Sequence, residues 1–474
     1  MQGKPALTGE EQAYGIIAAP MPNVLIIAYE FPPSAGGGVQ RITKFARYLP
    51  QSGWVPTVLC AEPVWGRPTD PTLLDEVPGV RVVRLPARNT AAAIARAIAP
   101  VKAAQTALRG SHAGREHGSE ISVGKLGPPS VPLSARIVER YWIDAAELWA
   151  RAVPAAAREL QRQIGFDVIL GSGPPPSALV AAGRAAAVCG APYVADFRDA
   201  WTTNPSFRRP GRPRLDTRSV SDERTVIRQA AAITTVSQPI ADEVTALGAA
   251  DVTVLPNGFD PTELPRYDPA PGPLRIAFMG RFYGATDPGP FFDGAAIAIR
   301  DDPECADLCI DIVGQASDRV RKAVESRGLR AHVVLHGFLP HVEALTVISA
   351  ADVGLVVLSD LPGSEAVYTG KLFEYLGMGL PVLLVGPVDG VGARLVHESG
   401  GGTVVPYGDA AAVARALGEL ARAKEQEGAL RSPDSNVVGR FDRREQAAVL
   451  AGVLDRVADR RGDATVGHPE PAPV

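Results

Sequence analysis

From Val24 the chain reads VLIIAYE, a short run of mostly branched apolar residues that ends in FPPSAGGG. Such a run predicts a strand buried on both faces and delivered into a glycine-rich turn. In VQRITKFARYLPQSG, which follows, Val39, Ile42, Phe45, Ala46 and Leu49 recur every three or four residues and Gly53 closes the segment, so a helix is expected. VPTVLCAE and, from Val80, VRVVRLP read as the next strands. Strand, helix and strand in that order predict a right-handed parallel crossover. Residues 88–136, rich in Ala, Arg, Gly, Ser and Pro with a weak hydrophobic period, read as an insertion with some helix. The alternation then resumes: a helix over 141–164, FDVIL, GSGPPPS, a helix through Val188, APYVADF, a helix near 222–231, AAITTVS and DVTVLPNG.

PTELPRYDPAPGP interrupts the pattern as a proline-rich hinge, and the same grammar restarts in LRIAFMG, DLCIDIVG, HVVLHGF, DVGLVVL and PVLLVG, each followed by helix. The fold class expected is α/β, with two doubly wound, Rossmann-like parallel-sheet domains, 21–265 and 273–440, facing a cleft. A helix over 441–460 is expected to cross back onto the first domain, and 1–20 and 461–474 to be flexible tails.

Composition narrows the possible functions. At 474 residues the chain is too long for one ordinary core, and 46% apolar with 21% charged residues is the balance of a folded protein. A net charge of −4 and a pI near 6.0 give no global field for nucleic acid. Cys60, Cys189, Cys305 and Cys309 have neither disulfide-scaffold density nor zinc-site spacing, which favours a reducing compartment, and Cys305 and Cys309 are expected as packing residues. MQGKPALTGEEQAYG is no secretory signal, and no apolar run approaches the roughly 20 residues of a membrane span, so a cytoplasmic protein is expected. One local feature stands apart. Over 81–140 there are ten Lys or Arg against three Glu. Either this is a solvated loop, or it makes peripheral contact with anionic lipid at the inner face of a membrane.

Ligands of open parallel sheets bind beyond the carboxyl ends of the strands, which selects four loops. In FPPSAGGGVQR, Gly36, Gly37 and Gly38 let backbone approach an anion at the start of a helix. A dinucleotide fingerprint would need glycine where Arg41 stands, although Glu62 at the end of the second strand keeps a dehydrogenase reading open, as does a plain tight turn. GSGPPPS offers a stiff wall between Ser172 and Ser177. ADFRDAW brings Asp196, Arg198, Asp199 and Trp201 together, either as an ion-pair cluster or with Asp199 taking the proton of an acceptor hydroxyl. In AVYTGKLFEYLGMGLPVLLV the first helical turn carries Lys371 and Glu374 three apart, with Leu372 between them. Lysine at the positive end of a helix is mildly unfavourable unless a phosphate sits there. Arg281, which follows Gly280 at the end of the corresponding strand, is either a second phosphate contact or a solvated loop charge. No metal is expected: there is no Asp-x-Asp pair, and His332 and His336 are expected to be structural.

FPPSAGGGVQR, GSGPPPS, ADFRDAW, VLPNGFD, FMGRFYG and GKLFEYLGMGLPVL, in that order, resemble the family 4 glycosyltransferases of the GT-B fold, particularly the branch of polysaccharide and natural-product pathways, over about 23–455. The resemblance implies a retaining, metal-independent transfer from a nucleoside diphosphate sugar, UDP being the expected carrier. The C-terminal domain would hold the donor and the N-terminal one an unidentified acceptor. By position, Glu374 resembles the ribose-binding glutamate, and Arg281 and Lys371 the diphosphate clamp, with Gly280 and Leu372 beside them. Gly37 and Gly38 resemble the loop at the reacting centre, where Arg198 and Asp199 are placed as catalytic candidates. Two features depart from the pattern: the glutamate often found eight residues before Glu374 is here Ala366, with Glu365 adjacent, and no histidine follows the central strands of the first domain. A GT-B sugar-nucleotide epimerase and a non-catalytic binding protein are the alternatives.

Overall fold

A computed structural model describes residues 21–35, 37–63, 69–87, 144–204, 213–282 and 286–466. The expected insertion at 88–136, Gly36, and most of both expected tails lie outside them.

The first domain runs β1 (Asn23–Ala28), α1 (Gly37–Tyr48), β2 (Val55–Ala61), β3 (Arg81–Leu85), α2 (Glu147–Ile164), β4 (Val168–Gly173), α3 (Pro176–Cys189), β5 (Tyr193–Phe197), α4 (Pro213–Gln229), β6 (Ala232–Thr235), α5 (Gln238–Ala246) and β7 (Val252–Val254). Its strands form a seven-stranded parallel sheet in the order β3-β2-β1-β4-β5-β6-β7, with Ile26 opposite Val58 on one side and Leu170 on the other. The second domain runs β8 (Arg275–Met279), α6 (Gly289–Asp301), β9 (Cys309–Val313), α7 (Asp318–Ser326), β10 (Val333–Gly337), α8 (His341–Ser349), β11 (Val353–Val357), α9 (Gly370–Met378), β12 (Val382–Gly386), α10 (Val391–Ser399), β13 (Gly402–Pro406), α11 (Ala410–Glu427), α12 (Ser435–Gly439) and α13 (Arg443–Val466). Its six-stranded parallel sheet has the order β10-β9-β8-β11-β12-β13.

Each sheet is thus doubly wound. The order reverses between β1 and β4 in the first and between β8 and β11 in the second, and such reversals open the crevices where ligands enter. Strand β13 was not expected. Its sequence, GTVVP, follows two further glycines, and Gly402 sits at φ +155° with no room for a Cβ, which would come within 2.0 Å of the Val382 carbonyl.

Helix α13 packs on the first domain although it follows the second. Ala447, Leu450, Val453, Leu454 and Val457 join Val24, Ile26, Trp54, Val168 and Leu170 in one buried cluster, and Trp54 Nε1 donates to Asp455 Oδ1 at 2.8 Å. Full burial of each such aliphatic side chain contributes on the order of 1.5–3 kcal/mol, so this face of the sheet needs its cover. The helix continues to Val466, beyond the expected end at 460. Where the chain crosses between domains, the hinge and the approach to α13 are zipped by backbone: Phe259 N–H donates to Phe441 O at 3.0 Å and Arg443 N–H to Phe259 O at 2.9 Å.

Candidate functional site

At the β1/β4 reversal, α1 opens with Gly37 and Gly38. A Cβ on Gly38 would stand 2.9 Å from Arg198 Nη1, and that nitrogen donates to the Gly38 carbonyl. Arg198 also donates from Nε to Gly173 O at 3.2 Å and from Nη2 to Pro174 O. The guanidinium therefore staples the start of α1, the end of β4 and the proline turn together. Burial pulls its pKa down, with Asp196 and Asp199 acting in the opposite direction. Its expected place at the reacting centre needs correction, because three of its donors are used on main-chain carbonyls.

The expected cluster of Asp196, Arg198 and Asp199 also resolves differently. Asp196 is completely buried and pairs with Arg41, accepting from Nη2 at 2.7 Å and Nε at 3.1 Å, and also from Ser172 Oγ and Thr234 Oγ1, each at 2.8 Å. Burial alone would raise its pKa; Arg41 and the hydroxyls outweigh that and lower it. Arg41 occupies the position where a dinucleotide-binding loop would carry its third glycine, and it fills that space with an ion pair.

Asp199 makes no hydrogen bond or ion pair with a described residue. It is open to solvent on one side. On the other it borders a hollow lined by Gly173, Pro174, Pro176, Leu179, Phe197 and Trp201, with room for about one water (about 10 Å³). Desolvation on that side pushes the carboxyl up to about 6 while Arg198 pulls it down. Ser177, the other end of the proline turn, is tied to Asp144 through Oγ (2.6 Å) and N–H (2.8 Å).

At the β8/β11 reversal, α9 is drawn close to the sheet. Gly354 leaves no space for a Cβ beside the Tyr375 ring, and Met279 N–H donates to Tyr375 Oη at 2.9 Å. This seats the first turn of α9 beyond the end of β8. Thr369 precedes it without a side-chain cap, so the opening N–H groups keep their pull on an anion. Gly280, at φ +114°, lies against Lys371: a Cβ there would stand 3.3 Å from Lys371 Cε. The Lys371 ammonium sits 4.3 Å from the Phe278 ring centroid and has no carboxylate at ion-pair distance among the described residues. Burial lowers it to about 8, with Glu374 acting in the opposite direction.

Glu374 faces Nε2 of His341, the first residue of α8, at 3.3 Å. Burial disfavours the imidazolium, yet the Glu374 carboxylate and its hydrogen bond prevail and hold His341 at about 9. Sequence reasoning missed His341; it lies in no motif, and 33 positions separate it from its partner. Leu372 is 1% exposed and belongs to the apolar core, so its side chain is withdrawn from the site. Arg281 is exposed and donates to Gln315 Oε1. Glu365 is also exposed and accepts from Gly363 N–H at 2.9 Å. His332 and His336 bond Leu308 O (3.0 Å) and Asp311 Oδ1 (2.6 Å), and Cys305 is buried.

Two reversal points thus present an uncommitted carboxylate on one domain and a cation, a carboxylate and free helix N–H groups on the other. Residues 112–263 match the family described as Glycosyltransferase Family 4, and residues 273–423 match Glycosyl transferases group 1. No curated protein sequence matches. Among solved structures, a glycosyltransferase from Rickettsia africae ESF-5 superposes with a TM-score of 0.57 at 13% identity, covering 92% of this chain and 98% of its own. The lipopolysaccharide outer core galactosyltransferase WaaB in its apo form gives 0.55 at 13% identity, with 92% and 100% covered. A sucrose-phosphate synthase from Thermosynechococcus elongatus gives 0.53 at 14%, with 94% and 98% covered. With the two family matches covering most of both domains and the shared architecture, the chain belongs to the family 4 glycosyltransferases and is a glycosyltransferase of the GT-B fold.

Proposed function

We propose that this enzyme moves a hexose-type sugar from a nucleoside diphosphate, UDP foremost, to an acceptor hydroxyl, with retention at the anomeric carbon and without a metal, in polysaccharide, glycolipid or natural-product biosynthesis. The observation that carries the donor half is the first turn of α9, where Lys371 has no anionic partner at ion-pair distance among the described residues and Glu374 is fixed by His341. A diphosphate seated on the helix start would supply the missing negative charge, while the Glu374 oxygens accept from ribose hydroxyls.

In this reading the cations and helix N–H groups stabilise the departing diphosphate, and a phosphate oxygen takes the acceptor proton during front-side attack. Asp199 is the carboxylate nearest in kind to an acceptor-orienting group, and Arg198 positions the loops around it. Gly37 and Gly38 bring the α1 backbone close to the donor. The peripheral membrane contact belongs to the same proposal. Arg84 is turned inward onto Pro32 O and Cys60 Sγ, so the positive excess that would meet lipid lies mainly beyond Ala87, outside the described residues.

Glu374→Ala in the full chain tests the donor site. Calorimetry should show nucleoside diphosphate affinity falling about tenfold or more, the scale of charge-assisted hydrogen bonds lost from a half-buried site. Unchanged affinity in a folded variant would refute the assignment.

A further inference from the structure

At the crossing between the domains, pairing off the charges of the described residues leaves Arg443 without a counterion. Arg41 is matched by Asp196 at 2.7 Å. Lys44 is surrounded by Glu76 at 2.6 Å, Asp260 at 3.1 Å and Glu263. Glu374 has His341. Arg443, the first residue of α13, is 4% exposed, and its guanidinium makes a single hydrogen bond among the described residues, from Nη1 to Gln446 Oε1 at 2.9 Å. No described carboxylate reaches ion-pair distance. The charges that act on it from farther away belong to both domains: Arg41 repels it, and Glu374, Asp196 and Asp260 attract it. Burial, then Arg41, pulls its pKa down to about 9.

The position is rigid. Arg443 N–H is held by Phe259 O, and the Gln446 side-chain amide donates to Asn257 O at 3.1 Å, so the guanidinium cannot leave with a fraying helix end. A buried charge without a counterion costs several kcal/mol, which is a poor arrangement for a residue whose only duty is to join hinge and helix. Its planar fork of donors suits a phosphoryl group, which it can grip bidentately. Lys371, also lacking an anionic partner at ion-pair distance among the described residues, lies in the same electrostatic neighbourhood through Glu374, which acts on both.

We propose that Arg443 is an anion-binding residue in the floor of the cleft and receives a phosphoryl group of a bound substrate, either of the nucleotide donor or of a phosphorylated acceptor. The donor alternative rests on the function proposed above; the anion site itself does not.

The test compares the full-length wild type with Arg443→Met and Arg443→Lys, using inorganic pyrophosphate, UDP and uridine in calorimetry and thermal melts without ligand. Arg443→Met should melt no lower than the wild type, because an uncompensated cation has been replaced by an apolar side chain of similar length. It should bind pyrophosphate about tenfold or more weakly, with Arg443→Lys in between. If UDP weakens by the same factor and uridine is unaffected, the donor carries the phosphoryl group; if pyrophosphate weakens and UDP does not, the acceptor carries it. A purely structural Arg443 gives the opposite result, a lowered melting temperature with pyrophosphate and UDP affinities unchanged, and overturns the proposal. So does a wild-type chain that binds neither anion. Should Arg443→Met fail to fold, Arg443→Lys decides, since undiminished anion affinity without the guanidinium fork contradicts the assignment. Pyrophosphate binding together with failure of every nucleoside diphosphate to bind would remove the donor reading and leave the anion site standing.

Discussion

A carboxylate sealed from water persists as an anion only when its surroundings replace the lost hydration, and Asp196 has that replacement in Arg41, Ser172 and Thr234. Removing one partner from such a pair leaves the other charged and buried. Asp196→Ala should therefore cost about 3–5 kcal/mol in urea unfolding, whereas the joint change of Arg41→Met with Asp196→Leu should cost much less. The pH sign follows from the lowered pKa of Asp196. Its contribution is present in full above the ordinary carboxylate value and is lost as pH falls through the lower folded value. A loss from the single variant no greater than that of the double would contradict this account. The pairing was not legible in the sequence because 155 positions separate the partners. ADFRDAW offered a nearer cation, and only the fold turns Arg198 away toward the main chain.

Among the elements, strands were the most legible, since buried parallel strands are short runs of branched apolar residues bounded by turns. VLIIA, VILGS and VGLVV need no tertiary information to be recognised. Strand β13 lacked that signature, and Gly402 at its start serves a close backbone contact, with the Val382 carbonyl, rather than side-chain packing. Helix α1 was recognised from its apolar period, but the period hid the burial of Arg41, Thr43 and Lys44 on its other faces, where α13 and the hinge cover it. That cover depends on Gly258. A Cβ there would fall 2.0 Å from the Phe441 carbonyl, a backbone atom that cannot rotate aside. Gly258→Ala should consequently destabilise the protein by about 1–3 kcal/mol, the usual cost of overpacking, by parting the hinge from the start of α13. Limited proteolysis should then cut near the crossing sooner than in the wild type; an unchanged cleavage rate and melting temperature would show that the crossing yields without cost.

For the whole molecule, the proposed donor cradle was more legible than the groups around it because Lys371 and Glu374 share one helical turn, while His341 and Arg443 arrive from separate segments and acquire meaning only when the domains are assembled. Their assembly has a consequence in solution. Free Lys371 is pulled down to about 8 by burial, so near pH 8 part of the cationic charge is absent from the empty site. A diphosphate beside Lys371 would favour the ammonium and raise its pKa, so the complex must hold more protons than the free enzyme. By linkage, nucleotide affinity should fall as pH rises through about 8. His341, held at about 9, is still largely charged there and contributes little to the slope. Calorimetry at pH 8 in two buffers of different ionisation enthalpy should therefore record net proton uptake on nucleotide binding, about half a proton per site from Lys371. Lys371→Met should abolish most of that uptake as well as weaken binding. If uptake is absent in the wild type, or survives in Lys371→Met, the cation at the start of α9 is not the group that meets the phosphate, and the donor must be held elsewhere between the two domains.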